Sequence, residues 1–399
     1  MGVTYGMDKY TKKVDRFDWT LTLILFLFFL VSCVGIYSAQ TAGQYEDNFL
    51  VRQTFWYVVG AVIISITILF DSYQYKRLSW YLYGFGIILL IGVLVAPLDI
   101  APIRNGAKSW FITPVGSIQP SEFVKTFLIL ALSRVATQHQ EKYLVKTAKL
   151  DFWLLIKLGI TTAVPIFFIM KQNDLGTSLV LLSILMGFIL VSGITWKIIL
   201  PLFGTGASLG VFIIYLVVQR PDILEKYLHV QQYKFNRIYA WLDPFNHSSS
   251  SGYHLLKSLS AIGSGLITGK GFGNREVYIP EGHTDFIFSV IGEEYGFVGG
   301  SIVIGLYFLL IYHLIKTALD TNDPFNTYVC TGIISMITFH VFQNVGMTIQ
   351  VLPITGIPLP FISYGGSSLM GNMFAMGFVY SIRFHHRNYM FSSSRALSS

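Results

Sequence analysis

Ten long apolar runs dominate this sequence and leave little chain for any other structure. A helix needs about 20 residues to cross the hydrocarbon core of a bilayer, and each run has roughly that length or more. The runs cover residues 20–38, 54–71, 80–98, 121–137, 152–170, 177–194, 198–218, 286–314, 327–351 and 362–382. The sequence therefore predicts an all-α, polytopic membrane protein with about ten transmembrane helices in a single domain over residues 1–399.

The composition supports a membrane protein and excludes other classes. Hydrophobic residues make up 53% of the chain and charged residues only 12%, whereas roughly a quarter of the residues in soluble proteins are charged. This balance excludes a soluble enzyme, a disulfide-rich module and a disordered protein. Cys33 and Cys330 both lie inside apolar runs, so we expect no extracytoplasmic disulfide between them.

Basic residues indicate the orientation, because loops that stay in the cytoplasm carry an excess of lysine and arginine. With the N-terminus inside, the cytoplasmic segments contain 15 such residues and the short outer segments contain 5. We therefore predict a cytoplasmic N-terminal segment at 1–19 and a cytoplasmic tail at 383–399. The net charge of +7 is then a topology signal and does not indicate nucleic-acid binding.

One outer connection is far longer than the others. Residues 219–285, between the seventh and eighth runs, greatly exceed a typical loop of about 4–6 residues. Apolar residues recur there at helical spacing, first at Phe235, Ile238, Tyr239 and Leu242 and then at Leu255, Leu259 and Ile262. The sequence predicts a large extracytoplasmic loop with two short amphipathic helices, which either lie on the membrane surface or pack on the span ends.

Two outer segments place ionisable side chains at the mouths of predicted spans, where burial is costly unless the groups are paired or functional. Glu122 and Lys125 lie three residues apart at the start of the fourth span, so they share a helix face and can form an ion pair. Asp285 lies at the start of the eighth span. From position alone, the pair could simply ease helix entry and Asp285 could be a helix cap; alternatively, these groups line an outward-facing polar cavity.

Two further features lie near the outer ends of the last spans. Glu293 and Glu294 follow Asp285 by about 12 Å along the same helix, and we interpret them as a structural tie whose partners the sequence does not identify. The segment Leu352–Pro360 contains three prolines, so it cannot be regular helix and must be buried in protein or face water. Walker, dinucleotide-binding, zinc and G-x-S-x-G motifs are absent from the sequence.

Seven short motifs together resemble those of the SEDS family (shape, elongation, division and sporulation). They are Gly106–Trp110, Gln119–Phe123, Asp174–Thr177, Arg237–Pro244, His283–Phe288, Gly292–Glu294 and Ser363–Ser368. They occur in the family's order over nearly the whole chain. The glycine-rich stretch at 263–271 and the segment Phe342–Met347 resemble the RodA branch of cell elongation more than the FtsW division branch.

The resemblance implies a function. SEDS proteins are peptidoglycan glycosyltransferases, so it implies a bacterial plasma-membrane enzyme that polymerises lipid II into β-1,4 glycan strands for elongation and rod shape. Undecaprenyl pyrophosphate would be the leaving group. It also implies a class B penicillin-binding protein as partner transpeptidase, with other membrane proteins of the elongation complex. Two alternatives stay open: a flippase or transporter of lipid-linked precursors, and a noncatalytic scaffold for the transpeptidase.

The resemblance also assigns roles to residues. It implies that Asp285 is the essential acid, and a carboxylate at the outer boundary is where a general base is needed. The substrate-binding residues that we predict with it are Trp110, Glu122, Lys125, Asp174, His283 and Thr284. The departing pyrophosphate needs positive charge, for which the outer candidates are Arg104, Lys108, Lys125 and Arg237. A divalent cation, Mg²⁺ or Mn²⁺, is a further candidate for that charge.

Overall fold

The computed structural model describes residues 17–41, 48–104, 106–114, 116–143, 145, 147–220, 232–247 and 251–389. Most of the predicted N-terminal segment and part of the cytoplasmic tail lie outside the described residues, as do residues 221–231 and 248–250 of the long loop.

Long helices follow the predicted runs in order. They are α1 (Trp19–Thr41), α2 (Phe49–Ile68), α3 (Ser72–Val95), α4 (Pro120–Lys142), α5 (Ala148–Lys171), α6 (Leu175–Val191), α7 (Trp196–Gln219), α10 (Ile287–Asp320), α11 (Pro324–Thr348) and α12 (Gly366–Tyr389). Two shorter helices, α8 (Gln232–Leu242) and α9 (Ser251–Ser264), lie within the long loop at the two predicted positions. Strands β1 (Phe111–Thr113) and β2 (Gly116–Ile118) form an antiparallel hairpin before α4.

Seven of the described helices, α1, α2, α3, α5, α7, α10 and α11, are long and apolar enough to cross a membrane. Helix α6 is apolar but shorter. Helix α4 is more polar because it lies at the centre of the bundle, packed against α3, α5, α6, α11 and α12, with most of its side chains buried. A helix surrounded by protein needs no apolar lipid-facing surface, which explains the weak hydropathy of this run. The prediction of an all-α polytopic membrane protein is confirmed.

Helix α10 is broken at Gly296, where φ is 60° and ψ is −154°. Residues 265–271, the inserted segment, lie in the break. Four backbone hydrogen bonds of 2.9 to 3.1 Å join this segment to α10: Phe297 N to Leu266 O, Val298 N to Ile267 O, Lys270 N to Glu293 O and Gly271 N to Glu294 O. They replace the hydrogen bonds that the helix loses at the break. Only glycine fits position 296, since φ is positive and a Cβ would lie 2.5 Å from the backbone nitrogen of Gly269.

Glu293 and Glu294 bind the chain around this break. Glu293 accepts hydrogen bonds from Lys270 Nζ at 2.9 Å and from the backbone N–H groups of Glu276 at 2.9 Å and Val277 at 3.1 Å. Glu294 accepts from the Ser38 hydroxyl and the Gly273 N–H, and it pairs with Arg275 Nε at 3.3 Å. Both side chains are fully buried, so the predicted structural tie is confirmed. The long loop is therefore partly packed beside α10 and does not lie entirely over the span ends.

Candidate active site

Asp285 lies at the turn that leads from the long loop into α10. The helix cap of α10 is Phe286, and no side chain makes the capping hydrogen bond, so the cap interpretation of Asp285 is wrong. The Asp285 side chain is half-buried, and no described residue donates a hydrogen bond to its carboxylate. Burial raises the pKa of Asp285 to about 6, assisted by the negative charge of Glu281 and opposed by the positive charge of Arg237.

The proline-rich loop, residues 352–360, lies against Asp285, and Asn344 of α11 joins the two backbones. Asn344 Nδ2 donates to the backbone oxygens of both Asp285 and Ile357, at 2.8 Å each. Gly356 lies directly against the carboxylate, because a Cβ at this position would be 3.3 Å from Asp285 Oδ2. The φ of Gly356 is +70°, which favours glycine and permits this approach. The loop is irregular backbone that is partly buried in protein and exposed at Gly356, as its prolines predicted.

His283 and Thr284 support the same turn through other contacts. The buried His283 ring stacks on Phe49, with 4.3 Å between ring centroids, and burial lowers the pKa of this histidine. The Thr284 hydroxyl donates to Glu281 Oε2 at 3.0 Å. The backbone oxygens of the two residues accept from Tyr364 N at 2.9 Å and Ser363 Oγ at 2.7 Å. The start of α12 is thereby attached to the Asp285 turn.

Glu122 and Lys125 form the predicted ion pair, and a histidine completes it. Lys125 Nζ lies 2.7 Å from Glu122 Oε2 and 3.1 Å from His340 Nε2, and all three side chains are buried. His340 Nε2 accepts from the ammonium, so the neutral ring carries its proton on Nδ1, which lies 3.3 Å from the Pro358 carbonyl oxygen. His340 thus connects the ion pair to the loop that contacts Asp285.

Asp174 lies beside the proline-rich loop but serves a helix start. It caps α6, accepting hydrogen bonds from Thr177 N at 2.9 Å, Thr177 Oγ1 at 2.8 Å and Gln119 Nε2 at 2.9 Å. The neighbouring Gly176 contacts the loop, since a Cβ there would lie 3.2 Å from the Thr355 carbonyl oxygen. The Asp174 carboxylate is therefore close to the proline-rich loop, but three hydrogen bonds from the protein already occupy most of its acceptor positions.

The predicted outer cations are in different environments. Arg104 is exposed, with Nη1 3.2 Å from Ser117 Oγ. Lys108 Nζ donates to the backbone oxygens of Leu94 at 3.0 Å and Ala96 at 2.6 Å, so it closes the C-terminal end of α3. Arg237, on α8, is half-buried and close enough to Asp285 to act on it electrostatically.

The structure thus brings the predicted residues into three groups around one loop. Asp285, His283, Thr284 and Arg237 form the first; the Glu122 and Lys125 pair is the second; Asp174 is the third. Trp110 is half-buried next to β1, and Arg104 and Lys108 lie on the α3 side.

Sequence reasoning missed His340, Asn344 and Gly356. A histidine inside an apolar run was a signal that could have identified His340. In the part of the chain that the structure describes, no three His, Cys, Asp or Glu side chains converge closely enough to hold a metal ion. The divalent cation therefore stays a prediction.

The fold and this site define a class of protein. It is a polytopic membrane protein with a half-buried aspartate, Asp285, whose pKa is raised, at one end of its helix bundle. The family model FTSW_RODA_SPOVE, described as cell cycle protein, matches residues 13–388. Stage V sporulation protein E of Bacillus subtilis (strain 168) is 32% identical over 387 residues, which cover 94% of this chain and 99% of that protein. Peptidoglycan glycosyltransferase RodA of Treponema pallidum (strain Nichols) is 29% identical, with 93% and 98% covered.

Solved structures agree with the family match. A chain from a structure of a peptidoglycan synthase complex has a TM-score of 0.74 and 28% identity, covering 93% of this chain and 98% of that one. The Thermus thermophilus rod shape determining protein RodA has a TM-score of 0.66 and 26% identity, covering 93% and 97%. This chain belongs to the FtsW, RodA and SpoVE family. Its relatives carry the names of all three branches, so the RodA-like subtype stays a prediction.

Proposed function

We propose that this protein is a peptidoglycan glycosyltransferase of the bacterial plasma membrane that polymerises lipid II into β-1,4 glycan strands. The observation that carries the proposal is the Asp285 carboxylate, which is half-buried, accepts no hydrogen bond from the described residues and has a pKa of about 6. Relatives named as peptidoglycan glycosyltransferases, certain or probable, align over nearly the whole chain and support it.

In this reaction the 4-hydroxyl of the acceptor GlcNAc attacks the anomeric carbon of the donor MurNAc. The bond from that carbon to the pyrophosphate breaks, so undecaprenyl pyrophosphate leaves and the new linkage is inverted. Asp285 takes the hydroxyl proton as general base, a contribution of typically 10²–10⁴-fold. A pKa of about 6 suits this role, because the carboxylate is ionised at neutral pH yet is a stronger base than an exposed aspartate.

The environments of the basic residues favour one of them as the partner of the pyrophosphate. Lys125 is bound to Glu122 and His340, and Lys108 is bound to two backbone oxygens. Arg237 is the cation whose charge reaches Asp285. We therefore place Arg237 at the pyrophosphate, where a guanidinium can bind two oxygens of one phosphate. Arg104, which is exposed and more distant from Asp285 in the sequence than Arg237 is, is the second candidate.

Orientation and partners follow from the same proposal. The substrate sugars are outside, so the end of the bundle with Asp285 faces outward and both termini are cytoplasmic, in agreement with the distribution of basic residues. A class B penicillin-binding protein is the proposed partner transpeptidase. The similarity to a chain of a solved peptidoglycan synthase complex supports this partner. Cell elongation remains the branch that we propose. The other membrane proteins of the elongation complex would then be further partners.

A reconstitution experiment tests the activity. The full-length protein, purified in detergent, is incubated with lipid II, and the products are separated by SDS gel electrophoresis. We expect SDS-resistant glycan strands. A flippase or transporter needs a second compartment, and a scaffold has no activity of its own, so neither would form strands in detergent. Failure to form strands, with and without the partner transpeptidase, would contradict the proposal.

A further inference from the structure

A cluster of basic and aromatic side chains lies at the end of the bundle opposite Asp285. It consists of His139, Lys142 and Tyr143 at the C-terminal end of α4, with Trp153 and Lys157 on α5; we name it the basic-aromatic cluster. The Tyr143 ring is at its centre. Lys142 Nζ is 5.4 Å and Lys157 Nζ is 6.0 Å from the Tyr143 ring centroid, and the His139 ring centroid is 4.9 Å away.

The two lysines have no acidic partner among the described residues. The nearest carboxylates along the chain are engaged elsewhere. Glu141 pairs with Lys76 at 2.6 Å, and Asp151 accepts from Thr195 N and Thr195 Oγ1, at 2.9 Å each. Asp151 acts electrostatically on His139, but no described carboxylate forms an ion pair with Lys142 or Lys157.

Lys157 lies on a face of α5 that carries the exposed Lys149 one turn before Trp153 and continues with apolar residues after Lys157. It is nine residues, or about 14 Å, into α5 and is half-buried. Trp153 precedes it by four residues and Ile160 follows by three, so the three share one helix face. The side chains of Trp153 and Ile160 are 47% and 62% exposed, and Lys157 Nζ lies 5.5 Å from the Trp153 ring centroid. The ammonium of Lys157 and the Trp153 ring therefore lie close together, and the exposed apolar surface beside them can bind an acyl chain.

We propose that the basic-aromatic cluster binds the phosphate group of an anionic phospholipid in the leaflet at that end of the bundle. The phosphate would lie at the edge of the Tyr143 ring, within reach of Lys142 and Lys157, and an acyl chain would pack along Trp153 and Ile160. Tryptophan and tyrosine rings favour the headgroup level of a bilayer, which places the two lysines at the depth of lipid phosphates. The adjoining apolar face favours a lipid over a free phosphate ion, which has no chain to bury.

Lipid binding to the purified full-length protein tests the proposal. The protein in zwitterionic detergent is titrated with phosphatidylglycerol and, separately, with phosphatidylcholine, and bound lipid is measured by native mass spectrometry. We expect tighter binding of phosphatidylglycerol. Lys157→Gln should weaken this binding about fivefold, and the double variant Lys142→Gln/Lys157→Gln about 25-fold, since a lysine near an anionic headgroup contributes a factor of roughly five.

Two variants serve as controls. Lys171→Gln removes a lysine from the other end of α5, where its Nζ lies 5.7 Å from the Phe167 ring centroid and no other described cation contacts that ring, and binding should not change. Lys157→Arg keeps the charge and should bind like the unmodified protein.

Several results would overturn the proposal. They are equal binding of the two lipids, unchanged phosphatidylglycerol binding in the double variant, or displacement of the lipid by millimolar inorganic phosphate. The last result would identify a free anion as the ligand. If the double variant is not monodisperse, equal phosphatidylglycerol affinity in Lys157→Gln and Lys157→Arg would be decisive against it.

Discussion

Replacing Asp285 by asparagine should lower activity without lowering stability. Asparagine has the size of aspartate but cannot take the acceptor proton, so lipid II polymerisation should fall by at least ~10²-fold. The described residues donate no hydrogen bond to the carboxylate, and the residue does not cap α10, so the fold loses no contact of the charged group. A structural residue would behave in the opposite way.

The pKa of Asp285 gives the expected change in stability. It rises from 3.8 to about 6 because burial and Glu281 disfavour the charged form. The folded protein therefore holds this proton more tightly than the unfolded chain, and stability is lost as the pH rises from about 4 through about 6. At pH 7.5 the ionised group costs at most about 3 kcal/mol, from about two pKa units at 1.36 kcal/mol each. Asp285→Asn should relieve this cost.

Asp174→Asn is a matched control for the same change of side chain. The Asp174 carboxylate accepts three hydrogen bonds of 2.8 to 2.9 Å, and an amide offers a single acceptor oxygen. This variant should lose about 1 kcal/mol or more. Thermal unfolding in detergent at pH 5 and pH 7.5, with strand synthesis from lipid II, measures both effects. Near-normal synthesis by Asp285→Asn would refute the assignment of Asp285 as the base. A stability loss equal to that of Asp174→Asn would refute the burial cost at Asp285.

Three further predictions concern the pH profile, the ion-pair network and the orientation. Polymerisation activity should fall on the acidic side of its pH profile with a midpoint near pH 6. Glu281→Gln should lower this midpoint, because the Glu281 charge raises the pKa of Asp285. Arg237→Gln should raise it, because the Arg237 charge lowers that pKa. Unchanged pH profiles in both variants would contradict this. His340→Leu leaves the Lys125 ammonium and the Pro358 carbonyl each short of a partner, so it should destabilise the protein by about 1–3 kcal/mol. His340→Gln should destabilise it less. Equal melting temperatures of the two variants and the unmodified protein would refute the network. A reporter fused near Ser250 should be outside and one at the C-terminus cytoplasmic, and a cytoplasmic signal near Ser250 would reverse the orientation.

The long helices could be predicted because a helix that crosses a membrane needs a run of about 20 apolar residues, which is visible in the sequence. The positions of α8 and α9 followed from helical spacing, and the ion pair of Glu122 and Lys125 from a separation of three residues. Such local periodicities survive in the sequence whatever the tertiary structure.

Contacts between distant segments could not be predicted. The partners of Glu293 and Glu294 come from the inserted segment, from the residues that follow it and from α1. The charge of Lys108 predicts a phosphate ligand, and the sequence does not show that two backbone oxygens at the end of α3 lie within 3.0 Å of its ammonium. The sequence assigns no role to His340, because its partners Lys125 and Pro358 lie on other elements of the fold. Single-sequence patterns carry no distance between residues that are far apart along the chain.

The break in α10 also bears on how the protein is made. An unbroken helix of 34 residues would be about 51 Å long, far beyond the ~30 Å thickness of the hydrocarbon core. The part after Gly296, residues 297–320, is about 36 Å long and can be inserted by the translocon as an ordinary tilted span. The preceding nine residues form a separate helical segment, which hydrogen bonds to residues 265–271 hold in place. Because Asp285 leads directly into this segment, we expect Asp285 to reach its final position only when the segment has docked against residues 265–271, in a late assembly step.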